Sequence, residues 1–201
     1  MIQELLILSR TDVFELLSLR DCIDAVERAF GLHALGQTLA PGVLGVPATG
    51  GGFHIKAAGL LGERSYFAAK TNANFPDNPR RFGRPTIQGT IMLADATNGT
   101  PLAIMESGSV TALRTGAATA VAAKYLARSD ARTATIVGCG AQGELQLAAI
   151  AAVLPLERVR LFDLDPVRAE ALARRADERY GLRAEARRST WGRRRVIHCR
   201  P

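Results

Sequence analysis

The spacing of apolar residues predicts an N-terminal block of mixed helices and strands. Residues 3–9 are predicted as a short strand, and residues 12–17 and 21–36 as helices. Asp21 is the candidate N-cap of the second helix. Further along the chain, strands are predicted at residues 53–58, 66–72, 86–95 and 102–106, followed by a well-buried helix of small residues at 111–126.

Glycine, proline and polar residues predict the connections within this block. Residues 40–52 are rich in Gly and Pro and are predicted as a loop, as are the polar, proline-containing residues 74–84. Asn98-Gly99 is typical of a tight hairpin turn between two strands.

A second block alternates strands and helices. Strands are predicted at residues 133–137 and 158–162, and helices at 141–153 and 167–179, the last of them starting at Asp165-Pro166. This order favours a parallel sheet of the Rossmann type, with a domain boundary near residues 128–132. The predicted fold class is therefore α/β, with an N-terminal α+β domain at residues 1–130 and a Rossmann-like domain at 131–183.

Between the first strand and helix of the second block lies a GxGxxG motif. Gly138 suits a tight turn, Gly140 allows the backbone to approach a pyrophosphate, and Gly143 allows close helix–strand packing. Backbone N–H groups of Ala141 and Gln142 at the helix start would face the phosphates. Asp163 follows Gly143 by 20 positions, at the end of the next apolar run, where a carboxylate accepts ribose hydroxyls and repels a 2′-phosphate. The motif therefore predicts NAD as the cofactor, in preference to NADP.

Composition is that of an ordinary soluble domain. The 201 residues are 47% hydrophobic and 22% charged, and no apolar run approaches the roughly 20 residues that span a bilayer. The N-terminus lacks the basic and small-residue features of a signal peptide, so a cytoplasmic location and no membrane partner are expected. Cys22, Cys139 and Cys199 lie far apart, which predicts no metal site and a reducing compartment.

Most of the net charge of +7 is concentrated at the C-terminus. Residues 184–201 contain six arginines and one glutamate, which accounts for +5 of it. Because this basicity is not spread over a patterned surface, no nucleic-acid partner is expected.

Four motifs, in order and at family-like spacing, resemble the ornithine cyclodeaminase/μ-crystallin family over roughly residues 3–183. They are KTNANFP at residues 70–76, TIQG at 86–89, TALRTGA at 111–117 and GCGAQG at 138–143. The resemblance implies NAD-dependent hydride transfer at an amino-acid α-carbon, with deamination and cyclisation to a cyclic amino acid such as proline. Alternatives within the family are a ketimine reductase and an alanine dehydrogenase. A non-catalytic, crystallin-like NAD(P)H binder is the alternative from another class.

The resemblance also implies residue roles. Arg114 matches the arginine that holds the substrate carboxylate, for which its planar fork is suited. Lys70 matches the substrate lysine, which would polarise the amino or imine centre or transfer a proton. Thr86 and Thr115 match positions near the cofactor. An amino acid or cyclic imine is the implied substrate, and the family's members are commonly homodimers through the N-terminal domain.

The chain departs from the family pattern at two points near the substrate. Ornithine cyclodeaminases carry a glutamate in the strand before the lysine strand, and His54 is the nearest equivalent here, either as an acid–base group or as a structural residue. The preceding loop lacks the arginine that many members have. Ornithine is therefore not established as the substrate by sequence.

A third departure is the C-terminal segment, residues 184–201, which is interpreted as an aberrant arginine-rich tail. Residues 192–199 (GRRRVIHC) can be encoded so that a one-nucleotide shift gives ADVVSFTA, close to what the family places there. The hypothesis is a frameshift that removes the family's catalytic aspartate; the alternatives are a genuinely short protein with a functional basic tail and a cloning artefact. The frameshift predicts an inactive chain that is marginally stable or aggregation-prone, because its two-stranded parallel sheet has an exposed edge.

Overall fold

The structure is a computed structural model that describes residues 4–187. The chain divides into two compact units, Met1–Ala118 and Thr119–Pro201. The division lies within the helix Ser107–Leu126, whereas the sequence places the domain boundary after that helix, at residues 128–132.

The first unit is built on a six-stranded sheet with the order β1-β6-β5-β4-β3-β2. Its elements are β1 (Leu6–Leu8), α1 (Arg10–Leu16), α2 (Leu19–Ala34), β2 (Thr38–Ala48), β3 (Gly51–Leu61), β4 (Ser65–Asn74), α3 (Asn78–Phe82), β5 (Ile87–Asp95), β6 (Pro101–Glu106) and α4 (Ser107–Leu126). Strands β2 to β6 are antiparallel, and β1 pairs with β6 in parallel. The predicted strands are confirmed, although β3 and β4 are longer than predicted.

The prediction of a loop at residues 40–52 is wrong, because most of this segment belongs to β2 and the start of β3. Strand β2 is at the edge of the sheet, where one side of the backbone needs no strand partner and proline is tolerated. Pro41 lies at the register shift between Leu39 and Gly42, where the ladder is already interrupted.

The predicted N-cap of the second helix is also wrong. Helix α2 begins at Leu19, and its N-cap is Ser18, whose hydroxyl oxygen accepts a hydrogen bond from the Asp21 N–H at 3.1 Å. Asp21 instead accepts a hydrogen bond from the Ser18 hydroxyl. A serine followed three residues later by an acidic residue is typical of a helix start. The N-cap is therefore Ser18, three residues before the predicted Asp21.

The predicted loop at residues 74–84 contains one short helix, α3. Pro79 occupies its first turn, where the missing N–H has no helical partner to lose. Gly83 ends it in the left-handed conformation, with φ of 61°.

The second unit is a βαβαβ arrangement, which confirms the predicted α/β fold class. It consists of β7 (Thr133–Val137), α5 (Ala141–Ala151), β8 (Arg158–Phe162), α6 (Pro166–Tyr180) and β9 (Arg183–Ala186). All three strands are parallel, in the order β7-β8-β9. Leu147, Leu161 and Leu172 are completely buried in the core between the sheet and its two helices.

Strand β9 was not predicted. The sequence predicts a domain that ends at residue 183 and contains two strands, but Arg183–Ala186 pairs with β8 as a third. Its polar composition gives no strand pattern, and only the neighbouring strand supplies its hydrogen-bond partners. The rest of the predicted arginine-rich tail, residues 188–201, lies outside the described residues.

Over residues 4–187, no helix is both long and apolar enough to cross a bilayer.

Candidate functional site

The glycine loop, residues 138–143, connects β7 to α5. Gly138 has φ of 96°, a conformation that side chains disfavour, and its N–H donates to the Phe162 carbonyl at 2.8 Å. A Cβ at Gly143 would collide with the carbonyl oxygen of Gly138. The turn and the helix start are therefore packed backbone against backbone, as the sequence predicts for these two glycines.

A groove of about 480 Å³ opens beside this loop. A Cβ added at Gly138 or Gly140 would meet no atom within 4 Å, so the space above the loop is open. The groove is lined by Thr119, Thr135, Ile136, Val137, Gly138, Gly140, Gln142, Gly143, Gln146 and Ile150. Sequence alone did not identify Thr119 as a site residue, because it is distinguished only by a hydroxyl group within an alanine-rich helix.

Asp163 ties the end of β8 to the glycine loop. Its carboxylate accepts hydrogen bonds from the Cys139 N–H at 2.6 Å and the Asp165 N–H at 2.9 Å. The bonds from Asp165 and Cys139 hold the pKa of Asp163 below its ordinary value of 3.8, so it is a carboxylate at neutral pH. A carboxylate can accept about four hydrogen bonds, so Asp163 keeps acceptor capacity for a ligand.

Cys139, inside the loop, is buried in the core of the second unit. Burial raises the pKa of its thiol, with a further contribution from the charge of Asp163. A buried, neutral thiol is a packing group and a poor nucleophile.

Glu144 in the first turn of α5 fixes the loop's helix to α6. Its two carboxylate oxygens lie 3.0 Å from Arg175 Nε and 3.0 Å from Arg179 Nη1. An acid at this end of a helix is favourable for the helix dipole, and the two arginines hold it in place.

The first unit carries a separate set of polar side chains on one side of its sheet. The register pairs Lys56 with Lys70 and His54 with Asn72, and residues directly opposite in an antiparallel ladder share a side. Because alternate residues of a strand also share a side, all four lie on one surface. We call this surface the Lys70 face.

Helix α4 begins over the Lys70 face. Lys70 Nζ donates to Thr111 Oγ1 at 3.5 Å, and the buried Ser107 hydroxyl donates to Asn72 Oδ1 at 2.6 Å. Gly89 leaves room for this contact, since a Cβ there would lie 2.5 Å from Asn72 Oδ1. Asn72, Ser107 and Gly89 thus position the helix, and none of them was singled out as a site residue from the sequence.

The start of α4 is held by a carboxylate. Glu106 accepts hydrogen bonds from the Gly108 and Ser109 N–H groups, at 2.6 and 2.8 Å, and from the Ser109 hydroxyl. Burial raises the pKa of Glu106, but these hydrogen bonds outweigh burial and lower it overall. The ionised carboxylate therefore fixes the first turn of the helix that carries Thr111 and Arg114.

Lys70 is the electrostatic centre of this region. Burial lowers its pKa from the ordinary value of 10.5, and the positive charges of Arg114 and Lys56 lower the pKa further. Within residues 4–187, no carboxylate forms a salt bridge with Lys56, Lys70 or Arg114. Three cations without a carboxylate partner form a surface suited to an anion.

The structure thus brings together Lys70 and Arg114, and His54 lies on the same face, two residue pairs along the β3–β4 ladder. His54 also lines a groove of about 470 Å³ near the β2–β3 turn, together with Phe53 and Asn74. Lys56 was missed from the sequence, because only strand register shows that it stands opposite Lys70.

Thr86 and Thr115 belong to the first unit, whereas the glycine loop belongs to the second. The Thr86 carbonyl accepts from the Phe75 N–H at 2.9 Å, just before β5. The Thr115 hydroxyl donates to the Thr111 carbonyl within α4 at 2.6 Å. A role for either in cofactor binding remains a prediction.

Comparison with known proteins gives matches along most of the chain. Ornithine cyclodeaminase from Agrobacterium fabrum is 46% identical over 106 residues, which are 52% of this chain and 29% of that protein. An archaeal alanine dehydrogenase, solved as a dimer with bound NAD, superposes with a TM-score of 0.85 at 34% identity, over 92% of this chain and 56% of that one.

A second solved structure is the Thermococcus litoralis Δ1-pyrroline-2-carboxylate reductase in complex with NADH and L-proline. It superposes with a TM-score of 0.82 at 34% identity, over 92% of this chain and 58% of that one. The chain spans about half the length, or less, of the curated relatives that it matches.

The sequence profile of the ornithine cyclodeaminase/mu-crystallin family matches residues 3–192. The motifs predict a resemblance that ends near residue 183, but the profile match continues to residue 192 and includes strand β9. On this match, and with the glycine loop and the Lys70 face in place, the chain belongs to the ornithine cyclodeaminase/mu-crystallin family.

Proposed function

We propose that this chain binds NAD(H) in the groove of its second unit. The observation that carries the proposal is the glycine loop, with Gly143 packed on Gly138, open space above Gly140, and Asp163 held at the end of β8. In this assignment the pyrophosphate binds the N–H groups of Ala141 and Gln142 at the start of α5, and Asp163 accepts the ribose hydroxyls. The two solved relatives with bound NAD and NADH support the assignment.

The residues present fit this cofactor. A pyrophosphate needs backbone that it can approach closely, and among residues 4–187 no side chain lies within 4 Å of a Cβ placed at Gly138 or Gly140. The carboxylate of Asp163 would repel the 2′-phosphate of NADP, so we assign NAD rather than NADP. When bound, the nicotinamide supplies an acceptor or donor of hydride.

We further propose that the Lys70 face binds an amino acid or its imine. Arg114 holds the carboxylate through its planar fork. Lys70, with its lowered pKa, exchanges a proton with the substrate nitrogen more readily than an ordinary lysine near neutral pH. His54 lies on the same face and is proposed as a further acid–base group. Thr86 and Thr115 are proposed as cofactor contacts.

The proposed activity of the whole protein is hydride transfer at an amino-acid α-carbon. This activity has three forms: cyclodeamination to a cyclic amino acid, reduction of a cyclic imine, and oxidation of an amino acid. The relatives named above include all three activities. The chain's own contribution is to orient the α-carbon through the carboxylate and to control protonation of the nitrogen.

The cofactor assignment is tested by fluorescence titration of the chain with NADH and NADPH. Wild type should bind NADH saturably and more tightly than NADPH. Asp163→Asn keeps the shape of the side chain but removes its charge, and we expect about a tenfold loss of NADH affinity with reduced discrimination against NADPH. Asp177→Asn, at an exposed position of α6, is the matched control and should change neither value.

No saturable NADH binding, or equal affinities in Asp163→Asn and wild type, would rule out this groove as the NAD site. Incubation with NAD⁺ and amino acids, followed by measurement of ammonia and NADH, separates an enzyme from a non-catalytic NADH binder. The binder predicts saturable NADH binding without either product.

We also propose that the first unit forms a homodimer through the side of its sheet opposite the Lys70 face. This side exposes apolar residues on neighbouring strands, including Leu44 at 55% and Phe53 at 40% exposure. Ile7 on β1 is 77% exposed. The strand register from β1 through β6 and β5 to β4 places it on the same side of the sheet. Large exposed apolar side chains on one side of a sheet are typical of an interface, and the archaeal relative is a dimer.

A further inference from the structure

Lys56 is a cation on the Lys70 face for which the proposed function has no use. It stands directly opposite Lys70 in the β3–β4 ladder, and its charge lowers the pKa of Lys70. Like charges directly opposite on a sheet are destabilising, so a bound anion that contacts Lys56 would relieve this repulsion. Within the described part of the chain, no carboxylate forms an ion pair with Lys56.

The charge of this region limits the substrates that it can accept. Lys56 from β3, Lys70 from β4 and Arg114 from α4 bring three positive charges to one surface. An amino acid with one carboxylate neutralises one of them. A diamino acid such as ornithine has the same single carboxylate and adds a distal ammonium group, which these cations repel. A second carboxylate on the ligand would offset the remaining repulsion.

We propose that the Lys70 face binds an amino or imino dicarboxylate of four or five carbons, with Arg114 on the α-carboxylate and Lys56 on the distal carboxylate. This inference rests on the proposed function for the role of Arg114. It makes Lys56 the residue that selects the substrate, and it assigns Lys70 to the nitrogen between the two carboxylates. The chain's substrate class is then acidic rather than basic or neutral.

The contrasting interpretation is that Lys56 is a solvated lysine on an exposed strand. Lys56 is exposed, and exposed lysines are ordinarily hydrated. The two interpretations differ in one measurable quantity, the contribution of a distal carboxylate to affinity. A solvated lysine would contribute nothing that depends on which ligand is bound.

The test is calorimetric titration of the full 201-residue chain, with and without saturating NAD⁺, using L-aspartate, L-2-aminobutyrate and L-ornithine as ligands. Aspartate and 2-aminobutyrate differ only in a carboxylate against a methyl group. We expect aspartate to bind about tenfold more tightly than 2-aminobutyrate, and ornithine to bind most weakly. Lys56→Met should remove the advantage of aspartate and leave the affinity for 2-aminobutyrate within about twofold.

Two further variants make the result specific to position 56. Lys56→Arg keeps the charge and should retain most of the preference for aspartate. Lys124→Met makes the same chemical change in the last turn of α4 and should leave the preference intact. Circular dichroism of each variant establishes that it is folded.

Equal affinities for aspartate and 2-aminobutyrate, or a preference that survives Lys56→Met, would overturn the inference even if NADH binds as proposed. Binding of none of the three ligands by folded wild type would also overturn it. If aspartate is preferred through Lys56 but NADH does not bind, the inference stands and the cofactor assignment fails.

Discussion

Lys70 shows how a single residue acquires chemistry from its surroundings. On an isolated strand it would be a hydrated cation, but here it is partly buried, hydrogen-bonded to Thr111, and close to the charges of Arg114 and Lys56. Thr111 and Arg114 come from α4 and Lys56 from β3, and burial and both charges lower the pKa of Lys70. A lysine that loses its proton more readily is better suited to acid–base work on a substrate nitrogen.

The lowered pKa of Lys70 predicts a pH-dependent cost in stability. Between its pKa in the folded chain and about 10.5, the unfolded chain binds more protons, so stability rises with pH through this interval. Lys70→Met should therefore be more stable than wild type near neutral pH, by about 0.5 kcal/mol, and this difference should shrink as the pH approaches 10.5. Urea unfolding of both chains at several pH values measures it.

A double-mutant cycle with Lys56→Met provides the control for this prediction. In the Lys56→Met background the gain from Lys70→Met should be smaller, because one source of repulsion has already been removed. A gain that is constant up to high pH, or a Lys70→Met variant less stable than wild type at neutral pH, would contradict the electrostatic explanation.

At the scale of elements, the start of α5 combines two glycines with different requirements. Gly143 is limited by packing, since a Cβ there would strike the Gly138 carbonyl oxygen. Gly140 is the N-cap of α5 in extended conformation, with open space where a side chain would be. Gly143 is therefore required for packing, whereas Gly140 leaves space in which a ligand can bind.

Substitutions at these two glycines should separate stability from cofactor binding. Gly143→Ala should cost about 1–3 kcal/mol of unfolding free energy, because the helix must move away from the loop. Gly140→Ser should leave stability unchanged or slightly higher, since serine is a good N-cap, but it should weaken NADH binding by filling the open space. Chemical denaturation and NADH titration of both variants are the measurements.

The same stability in Gly143→Ala as in wild type would show that the loop can relax around a methyl group. Unchanged NADH affinity in Gly140→Ser would place the pyrophosphate elsewhere.

At the scale of the whole molecule, the proposed function draws on two units that have different sheets. The antiparallel sheet of the first unit has the cationic Lys70 face on one side and exposed apolar residues on the other. The parallel sheet of the second unit buries Val159 and Leu161 under its helices and presents the glycine loop at the carboxyl ends of its strands. This is the edge at which open α/β sheets bind ligands.

The proposed dimer is tested on β2, whose two sides give a matched pair of variants. Leu44→Lys places a charge on the proposed interface side, and Val43→Lys places the same charge on the other side of the same strand. We expect Leu44→Lys to be monomeric and Val43→Lys to remain dimeric, because a buried unpaired charge is costly only at the interface. Sedimentation velocity of wild type and both variants measures the oligomeric state.

A monomeric wild type, or a dimer that persists in Leu44→Lys, would exclude this side of the sheet as the interface.

Much of the local structure follows from sequence, because local signals are strong where they depend on neighbours along the chain. The GxGxxG spacing, the hairpin glycine at position 99 and Pro166 at a helix start each specify backbone geometry directly. The two blocks of alternating patterns likewise determined the α/β fold class, and the four motifs determined the family.

Only the tertiary structure decided the features that depend on partners distant in the chain. Strand β2 contains Gly and Pro and is a strand only because β3 pairs with it, and β9 exists only because β8 does. Lys56 has no motif of its own, and strand register alone places it opposite Lys70. The physical reason is common to these cases: ladder hydrogen bonds and charge–charge energies are set by distance in space, which a residue's sequence neighbours do not specify.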